Sequence, residues 1–430
     1  MPRLFCEEFD SLDHAIVSLY ALDCETGEVL FEKNSALSLV PASCMKIVTT
    51  TAALHLLGAE SRFETYLEYD GVLDETLEGN LYIRGGGDPC LGSDRIPGSL
   101  SWKEQIEVWA DAVQKLGIRN IVGKVIGDAS RWERALAVPS WSWEDLGNYY
   151  GAGASALSFH ENAYSLVFQP GKRVGEEAVI LRTEPPLPTL VLQNEVKTGP
   201  EGSGDHACIY GMEFSPTQFV RGTIPAAAHE FAIRGAIPDP AAACASWLME
   251  ELKRRGIAVG QQKMAQQKER TVFHTSSSPT IREIVHWTNQ KSINLYAEHL
   301  LKKMGEVRQG EGSTAAGVRA VAGFWKSQKI ELGGFNMIDG SGLSRKNLIT
   351  ATQLVEMLVM MKKSDLFPVF LESLPQYQGS IRAKNGTMSL VKGYAGYAGK
   401  IAFAILVNQC LDPRRANQAI DEFFSQLCQK

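Results

Sequence analysis

Apolar positions along the chain change spacing several times, and each change marks a predicted element. Apolar runs from Ala15 to Leu22 and from Val29 to Phe31 flank Asp23-Cys24-Glu25-Thr26-Gly27, a pattern that predicts a β-hairpin. Cys44 to Leu57 is rich in Ala, Leu and Thr, lacks internal Gly or Pro, and is bounded by Pro41 and Gly58, as a helix would be. The texture then turns strand-like over Phe63 to Tyr69 and Leu77 to Arg84, with a helix from Trp102 to Leu116 and a strand from Ile121 to Asp128. Further strands are expected over Ala156 to Gln169, Leu190 to Val196 and Ala207 to Phe214, then an amphipathic helix over Pro240 to Arg255 closed by Gly256. A polar stretch, Gln261 to Arg270, reads as a connection between bodies. Helical spacing dominates beyond it, over Thr280 to Gln290, Asn294 to Met304, Ser313 to Gln328 and Thr350 to Lys362. Strands over Met388 to Tyr397 and Ile401 to Asn408 and a helix over Arg414 to Gln429 complete an α/β pattern.

At 430 residues the chain exceeds what one core usually serves, so two or three domains are expected. A formal net charge of -6 argues against nucleic acid or an anionic membrane as the main partner. No run of about 18 apolar residues predicts a transmembrane segment. Met1 to Glu8 lacks an apolar signal core, so the chain is expected to be cytosolic or to have lost an export signal. The 8 cysteines are scattered without a Cys-x-x-Cys pair or zinc-like Cys/His spacing, so no structural metal is expected. Their spacing assigns no disulfides. Arg84-Gly85-Gly86-Gly87-Asp88-Pro89 is glycine-rich but lacks the Gly-Lys-Ser/Thr ending of a phosphate loop.

The candidate chemistry starts at Ser43-Cys44-Met45-Lys46. Residues three apart share a helix face, so the Ser43 hydroxyl and the Lys46 amine can meet. A serine needs a neighbour to take its proton, and a lysine does so only when burial or nearby positive charge lowers its pKa. Cys44 reads either as a small buried residue or as a thiol nucleophile. Ser292 and Asn294 sit in a polar break between two predicted helices, as caps or as groups reaching a cleft. Ile338-Asp339-Gly340-Ser341-Gly342-Leu343-Ser344-Arg345 reads as a rigid turn. Lys384-Asn385-Gly386-Thr387 on a strand offers charge, hydroxyl and a close backbone approach to an anion, or is an ordinary exposed segment. Trp141-Ser142-Trp143-Glu144-Asp145-Leu146-Gly147-Asn148-Tyr149-Tyr150-Gly151 reads as a packed loop with two buried indoles, or as a binding surface in which Asp145 meets a cation.

Taken in order, Ser43/Lys46, Ser292/Asn294 and Lys384-Asn385-Gly386-Thr387 resemble the three-element signature of penicillin-binding proteins and serine β-lactamases. The separation between the first two elements far exceeds that between the last two. That long insertion resembles the D-alanyl-D-alanine carboxypeptidase/endopeptidase family of class C penicillin-binding proteins, peptidase family S13. Gly87-Asp88-Pro89, Gly127-Asp128, the Trp143 to Gly151 run, Asn289 to Asn294 and Asp339 to Arg345 look like that family too, so the resemblance covers nearly the entire chain.

The resemblance implies a transpeptidase-like domain, a β-sheet flanked by helices, formed by residues 1–62 and 266–430, with smaller α/β and β-rich domains inserted at 63–265. It implies Ser43 as the acylated nucleophile, Lys46 as its base, Ser292 as proton relay, Asn294 as substrate-amide contact, and the backbone N–H groups of Ser43 and Thr387 as oxyanion hole. Lys384 and Thr387, with Asn385 and Gly386 between them, would hold the terminal carboxylate, and Arg345 is either a further carboxylate contact or a loop brace. Trp143, Asp145 and Tyr150 would help bind the stem peptide. Implied partners are peptidoglycan stem peptides and covalently bound β-lactams, in the periplasm or cell envelope, with no cofactor or metal. Two features depart from the family pattern: Asn385 stands where threonine is usual, and Gln378-Gly379-Ser380 runs almost directly into Arg382-Ala383-Lys384. The alternatives are a β-lactamase, a catalytically weakened peptidoglycan-binding protein, and a cytosolic esterase using the same Ser/Lys pair.

Overall fold

The computed structural model describes residues 9, 12, 14–226, 229–260 and 269–429. The chain forms two compact units, one from Met1–Ser61 with Thr280–Lys430 and the other from Arg62–Pro279.

The split unit is built on an antiparallel sheet. Its strands are β1 (Ile16–Asp23), β2 (Val29–Lys33), β3 (Ile381–Met388), β4 (Val391–Ala398) and β5 (Ile401–Asn408), in the order β3-β4-β5-β1-β2. β1 pairs with β5 from Ile16↔Asn408 to Asp23↔Ile401, so the hairpin expected near residue 20 is completed by strands near residue 400. Every residue of β5 is buried, which explains its uninterrupted apolar sequence. On one face, Phe403, Ile405 and Val407 join Leu19 and Phe31 against a helix over Pro413–Leu427, whose Ile420, Phe423 and Phe424 fill that core. Strand alternation turns Ala402, Ala404 and Leu406 to the opposite face. A helix over Ala351–Lys362 packs beside β5 in the same unit.

The helix α1 (Met45–Leu57) is buried at every position from Met45 to Leu54. Helices α2 (Ile281–Gln290), α3 (Asn294–Gln309) and α4 (Thr314–Ser327) pack around it. A helix surrounded on all sides needs no polar face, and that is why its sequence lacks a clean amphipathic stripe. Gly58, at φ 87, ends α1, and Thr280 caps α2 with its side chain accepting from the Glu283 N–H. One short helix, Phe367–Ser373, had no expected counterpart in the sequence.

Among the described residues, the inserted unit has two three-stranded and two four-stranded sheets. The single strands expected over Leu77–Arg84 and Ile121–Asp128 are each two strands, Thr76–Glu78 with Leu81–Arg84 and Asn120–Ile121 with Val125–Asp128. The first member of each pair lies in one sheet and the second in another, so both chains cross between sheets at Gly79–Asn80 and at residues 122–124. The helix Trp102–Lys115 starts with a capping box at Ser101 and Glu104 and connects the parallel strands Leu81–Arg84 and Val125–Asp128. The strand Thr271–Thr280 joins the sheet of Arg62–Tyr69, so the second junction lies at 279/280 and not at the expected 265/266. Most of the expected connection at 261–270 lies outside the described residues.

Candidate active site

Ser43 lies in a short 3-10 turn, Ala42–Cys44, that leads directly into α1. Ala42 has φ 47, a left-handed conformation that a residue with a side chain adopts only when its surroundings hold it there. β3 supplies part of that constraint. A Cβ added at Gly386 would stand 2.5 Å from the Pro41 carbonyl oxygen and 3.0 Å from the Ser43 backbone nitrogen, so the strand runs against the turn and only glycine fits. The Cys44 thiol points towards the Lys384 carbonyl at 3.5 Å, tying the same two segments. Burial pushes that thiol up to about 12, which leaves it a neutral packing group and overturns its reading as a nucleophile.

Lys46, one turn into α1, has no solvent exposure. Its Nζ donates to Ser43 Oγ at 2.9 Å, to Asn294 Oδ1 at 2.6 Å and to the Ser341 carbonyl at 2.8 Å. Burial, and then the nearby Lys384 ammonium, pull its pKa well below the usual lysine value, opposed by Glu298 and Asp339. A lysine that gives up its proton more readily than usual can, once neutral, take a proton from the serine it touches.

Asn294 is the first residue of α3, so the polar break read from the sequence is the turn between α2 and α3. Ser292 lies in that turn, half-buried and at φ 56, two residues before Asn294. Asn289, at the end of α2, anchors the turn by donating to Thr50 Oγ1 at 3.3 Å on α1 and to Ser373 Oγ at 2.9 Å.

The Asp339–Arg345 turn closes the lysine's far side. Asp339 accepts from the N–H groups of Gly342 and Ser344 and from the Asn347 amide, at 2.6 to 2.8 Å. Thr49 donates to the Gly340 carbonyl at 2.7 Å, while Glu298 accepts from the N–H groups of Gly340 at 3.1 Å and Ser341 at 2.7 Å. The turn is rigid, as its sequence suggests, and it also presents the Ser341 carbonyl to Lys46. Arg345, at its exposed end, donates to the Ser389 carbonyl at 3.1 Å in the β3–β4 turn, the geometry of a brace.

β3 is an edge strand, so alternate backbone N–H groups point away from its ladder. Lys384 and Gly386 are buried and lie on one face of β3, half-buried Asn385 and exposed Thr387 on the other. Lys384 and Thr387 therefore do not point the same way. Lys384 Nζ donates to the Asn385 carbonyl at 2.6 Å and to Asn385 Oδ1 at 3.0 Å, and burial lowers its pKa to about 8. The Thr387 hydroxyl is 3.5 Å from Lys392 Nζ.

Trp143, Asp145 and Tyr150 belong to the inserted unit. Trp141 is buried but Trp143 is 53% exposed, so the reading of two buried indoles fails for the second. The Trp143 ring lies 4.8 Å from that of Tyr210, and burial with the Asp145 carboxylate raises the Tyr150 hydroxyl above its ordinary pKa.

Sequence reasoning missed Glu298 and Thr49. A signal was present: Glu298 lies four residues after Asn294 and therefore on the same face of α3.

The model of the D-Ala-D-Ala carboxypeptidase 3 (S13) family matches residues 5–427. The chain belongs to this family. As an S13 member it is a serine-type D-Ala-D-Ala carboxypeptidase, in agreement with the resemblance read from its three motifs. It is 28% identical over 440 aligned residues to a D-alanyl-D-alanine carboxypeptidase of Actinomadura sp. (strain R39), covering 93% of this chain and 79% of that one. It is 23% identical to the D-alanyl-D-alanine carboxypeptidase DacB of Haemophilus influenzae, over 90% of this chain and 80% of the relative. The crystal structure of penicillin binding protein 4 from Haemophilus influenzae superposes with a TM-score of 0.83 at 20% identity, covering 98% of each chain, which shows the shared fold. The mixed α/β architecture with an insertion is thus that of the S13 peptidases. Among the described residues, no helix is long and apolar enough to cross a membrane.

Proposed function

We propose that this S13 peptidase cleaves D-Ala-D-Ala termini of peptidoglycan stem peptides, and peptide cross-links between them, through an acyl-enzyme on Ser43. The observation that carries the reading is the buried Lys46 amine, 2.9 Å from Ser43 Oγ and lowered in pKa. As Ser43 Oγ attacks the carbonyl of the penultimate D-alanine, Lys46 Nζ takes its proton, and the leaving D-alanine amine receives a proton through Ser292. The N–H groups of Ser43 and Thr387 receive the oxyanion, in keeping with the tight approach of β3 to the Ser43 turn. Water then attacks the ester and frees the enzyme.

Asn385 and Thr387, on the face of β3 opposite Lys384, receive the terminal carboxylate with the Lys384 charge behind them. Asn385 Oδ1 is engaged by Lys384, which leaves its amide N–H groups to act as donors in place of the threonine hydroxyl usual in the family. Asn385→Ala is expected to cost about 1.5 kcal/mol, roughly tenfold in KM, for a peptide with a free C-terminal carboxylate. Asn385→Thr should stay near the wild-type value, and peptides with an amidated C-terminus should not distinguish the three proteins. Equal KM values in Asn385→Ala and wild type would remove Asn385 from the carboxylate site.

Trp143, Asp145 and Tyr150 are assigned to a side chain of the stem peptide, with Asp145 meeting an amine, and the site of action to the cell envelope. Cleavage of cross-links draws support from the similarity to a predatory endopeptidase of Bdellovibrio bacteriovorus, whose TM-score of 0.52 at 16% identity speaks for the fold. Mass spectrometry after treatment with a penicillin tests the nucleophile: an adduct on the peptide containing Ser43 is expected, and none in Ser43→Ala. A folded wild-type protein without that adduct refutes the assignment. Incubation with a cross-linked muropeptide ending in D-Ala-D-Ala then measures released D-alanine and cleaved cross-links separately. Adduct formation without release of either product would instead favour a binding protein.

A further inference from the structure

The base in the site does not stand alone. Three segments converge behind Lys46, and one carboxylate links them. Glu298, buried on α3, takes the Gly340 N–H on Oε2 and the Ser341 N–H on Oε1, while the Ser341 carbonyl takes a proton of Lys46 Nζ. The peptide segment is therefore gripped from both sides, by Thr49 on α1 at the Gly340 carbonyl and by Glu298 on α3 at two N–H groups. These contacts hold the Gly340–Ser341 peptide, from which the Ser341 carbonyl reaches the amine.

We propose that Glu298 is a positioning residue for Lys46, fixing the Ser341 carbonyl that orients the amine and supplying the counter-charge to the ammonium formed when Ser43 gives up its proton. The inference rests on the reading of Lys46 as base. Transfer of the proton from Ser43 Oγ to Lys46 Nζ creates a cation in a site that already contains Lys384 and excludes water. Like charge from Lys384 opposes that cation, and Glu298 and Asp339 favour it. Asp339 holds the Gly342 N–H of the same peptide unit as the Ser341 carbonyl, and Glu298 holds the Gly340 and Ser341 N–H groups just before it, so the two carboxylates fix that carbonyl together and Glu298 is the one that reaches it from α3.

The charged and titratable groups around the pair include Lys384 from β3, Cys44 from the turn before α1 and Asp339 from the glycine turn, with His299 and Lys302 buried beside Glu298 on α3. Cys44 is neutral at working pH, for the reason given above. Burial, with Asp339 beside it, pushes Glu298 up to about 7, so its charge varies in the range where the enzyme would operate. The direction of its effect follows. Lys46 must be neutral to accept a proton, so acylation rises as pH increases through its pKa. A negative Glu298 raises that pKa, and removing the charge lowers it.

The test is the rate of acylation by a fluorescent penicillin, followed across the acidic limb of the pH profile in wild type, E298Q, E298D and Lys46→Met. E298Q keeps the volume, loses the charge and turns an amide donor towards one of the two N–H groups. Its acidic limb should move down by about one pH unit, and its plateau should fall about tenfold. E298D keeps the charge on a shorter arm that cannot span both N–H groups. Its limb should stay within a few tenths of wild type while its plateau falls about fivefold or more. A merely structural role for Glu298 would lower active protein without moving the limb of E298Q. A folded E298Q with the limb of wild type, or a limb displaced upwards, overturns the proposal. Should E298Q fail to fold, E298D carries the decision, and a wild-type plateau there overturns the positioning role. Lys46→Met separates the two readings: acylation that survives in it refutes Lys46 as base, whereas its loss together with an unmoved limb in E298Q refutes only the role of Glu298.

Discussion

Lys46→Met is expected to reduce acylation of Ser43 by about a thousandfold while leaving the protein folded. Methionine fills nearly the same length of buried channel, while Asn294 Oδ1 and the Ser341 carbonyl each lose a donor. Relief of a desolvated amine and loss of those hydrogen bonds oppose one another, so thermal stability should change by only about 1–2 kcal/mol. The cost falls on the chemistry, because no other described side chain is seen to donate to Ser43 Oγ as Lys46 does at 2.9 Å. The wild-type pH profile should carry the imprint of both lysines. Activity rises as the depressed Lys46 loses its proton, then falls as pH passes about 8, where Lys384 loses the charge that faces the carboxylate. Stopped-flow acylation with a chromogenic β-lactam checks both claims. A Lys46→Met protein acylated within tenfold of wild type would contradict the assignment of the base.

The second large effect concerns backbone. Gly342 has φ 85, and a Cβ built on it would stand 1.8 Å from the carbonyl oxygen of Ala42 and 3.1 Å from the Met45 Cβ. Neither neighbour is the end of a flexible side chain, so Gly342→Ala must displace the turn that carries Ser43 or the turn that carries Ser341. Left-handed strain alone costs about 1 to 3 kcal/mol, and the clash adds to it. Thermal unfolding should show a clear drop, and the surviving folded fraction should acylate at least about tenfold more slowly, since a displacement of 1 Å is enough for that. Gly310, at φ 75 and open around its Cβ position, provides the control: Gly310→Ala should lose stability without losing acylation per folded molecule.

How much of this was legible in the sequence varies from element to element. The boundaries of α1 were, because Pro41 and Gly58 punctuate it and no Gly or Pro interrupts it, although its β-branched run Ile47 to Thr51 is a weak helix former that burial on all sides holds in place. The order of the three motifs was, because each has a fixed chemistry. The crossings between sheets at Gly79–Asn80 and residues 122–124 were not, since strand periodicity continues across them and only tertiary packing reveals the change of sheet. Glu298 was hidden for a different reason. A glutamate on a helix is normally solvated, and only its four-residue spacing from Asn294 hinted that it faces inward. The alternation of Lys384 and Asn385 across β3 was readable from period two alone, yet the reach of the Lys384 amine around the strand to Asn385 Oδ1 depends on the long side chain bending back.

The insertion between Ser61 and Thr280 has a kinetic consequence. Where the chain leaves the split unit and returns to it, Ser61 and Ile281 are hydrogen-bonded neighbours at 2.9 Å, so the inserted unit has its two ends side by side and can fold as a closed segment. The nucleophile helix has no such independence. Its partners in α2, α3 and β3, and the partner of β1 in β5, are all made much later during synthesis, so its apolar surface waits for more than half the chain. Once the inserted unit has folded, its adjacent ends shorten that loop, and the serine gains Asn294 and the Ser341 carbonyl around its lysine only when the later segments dock. The catalytic pair is thus incomplete until the C-terminal half of the split unit has been made.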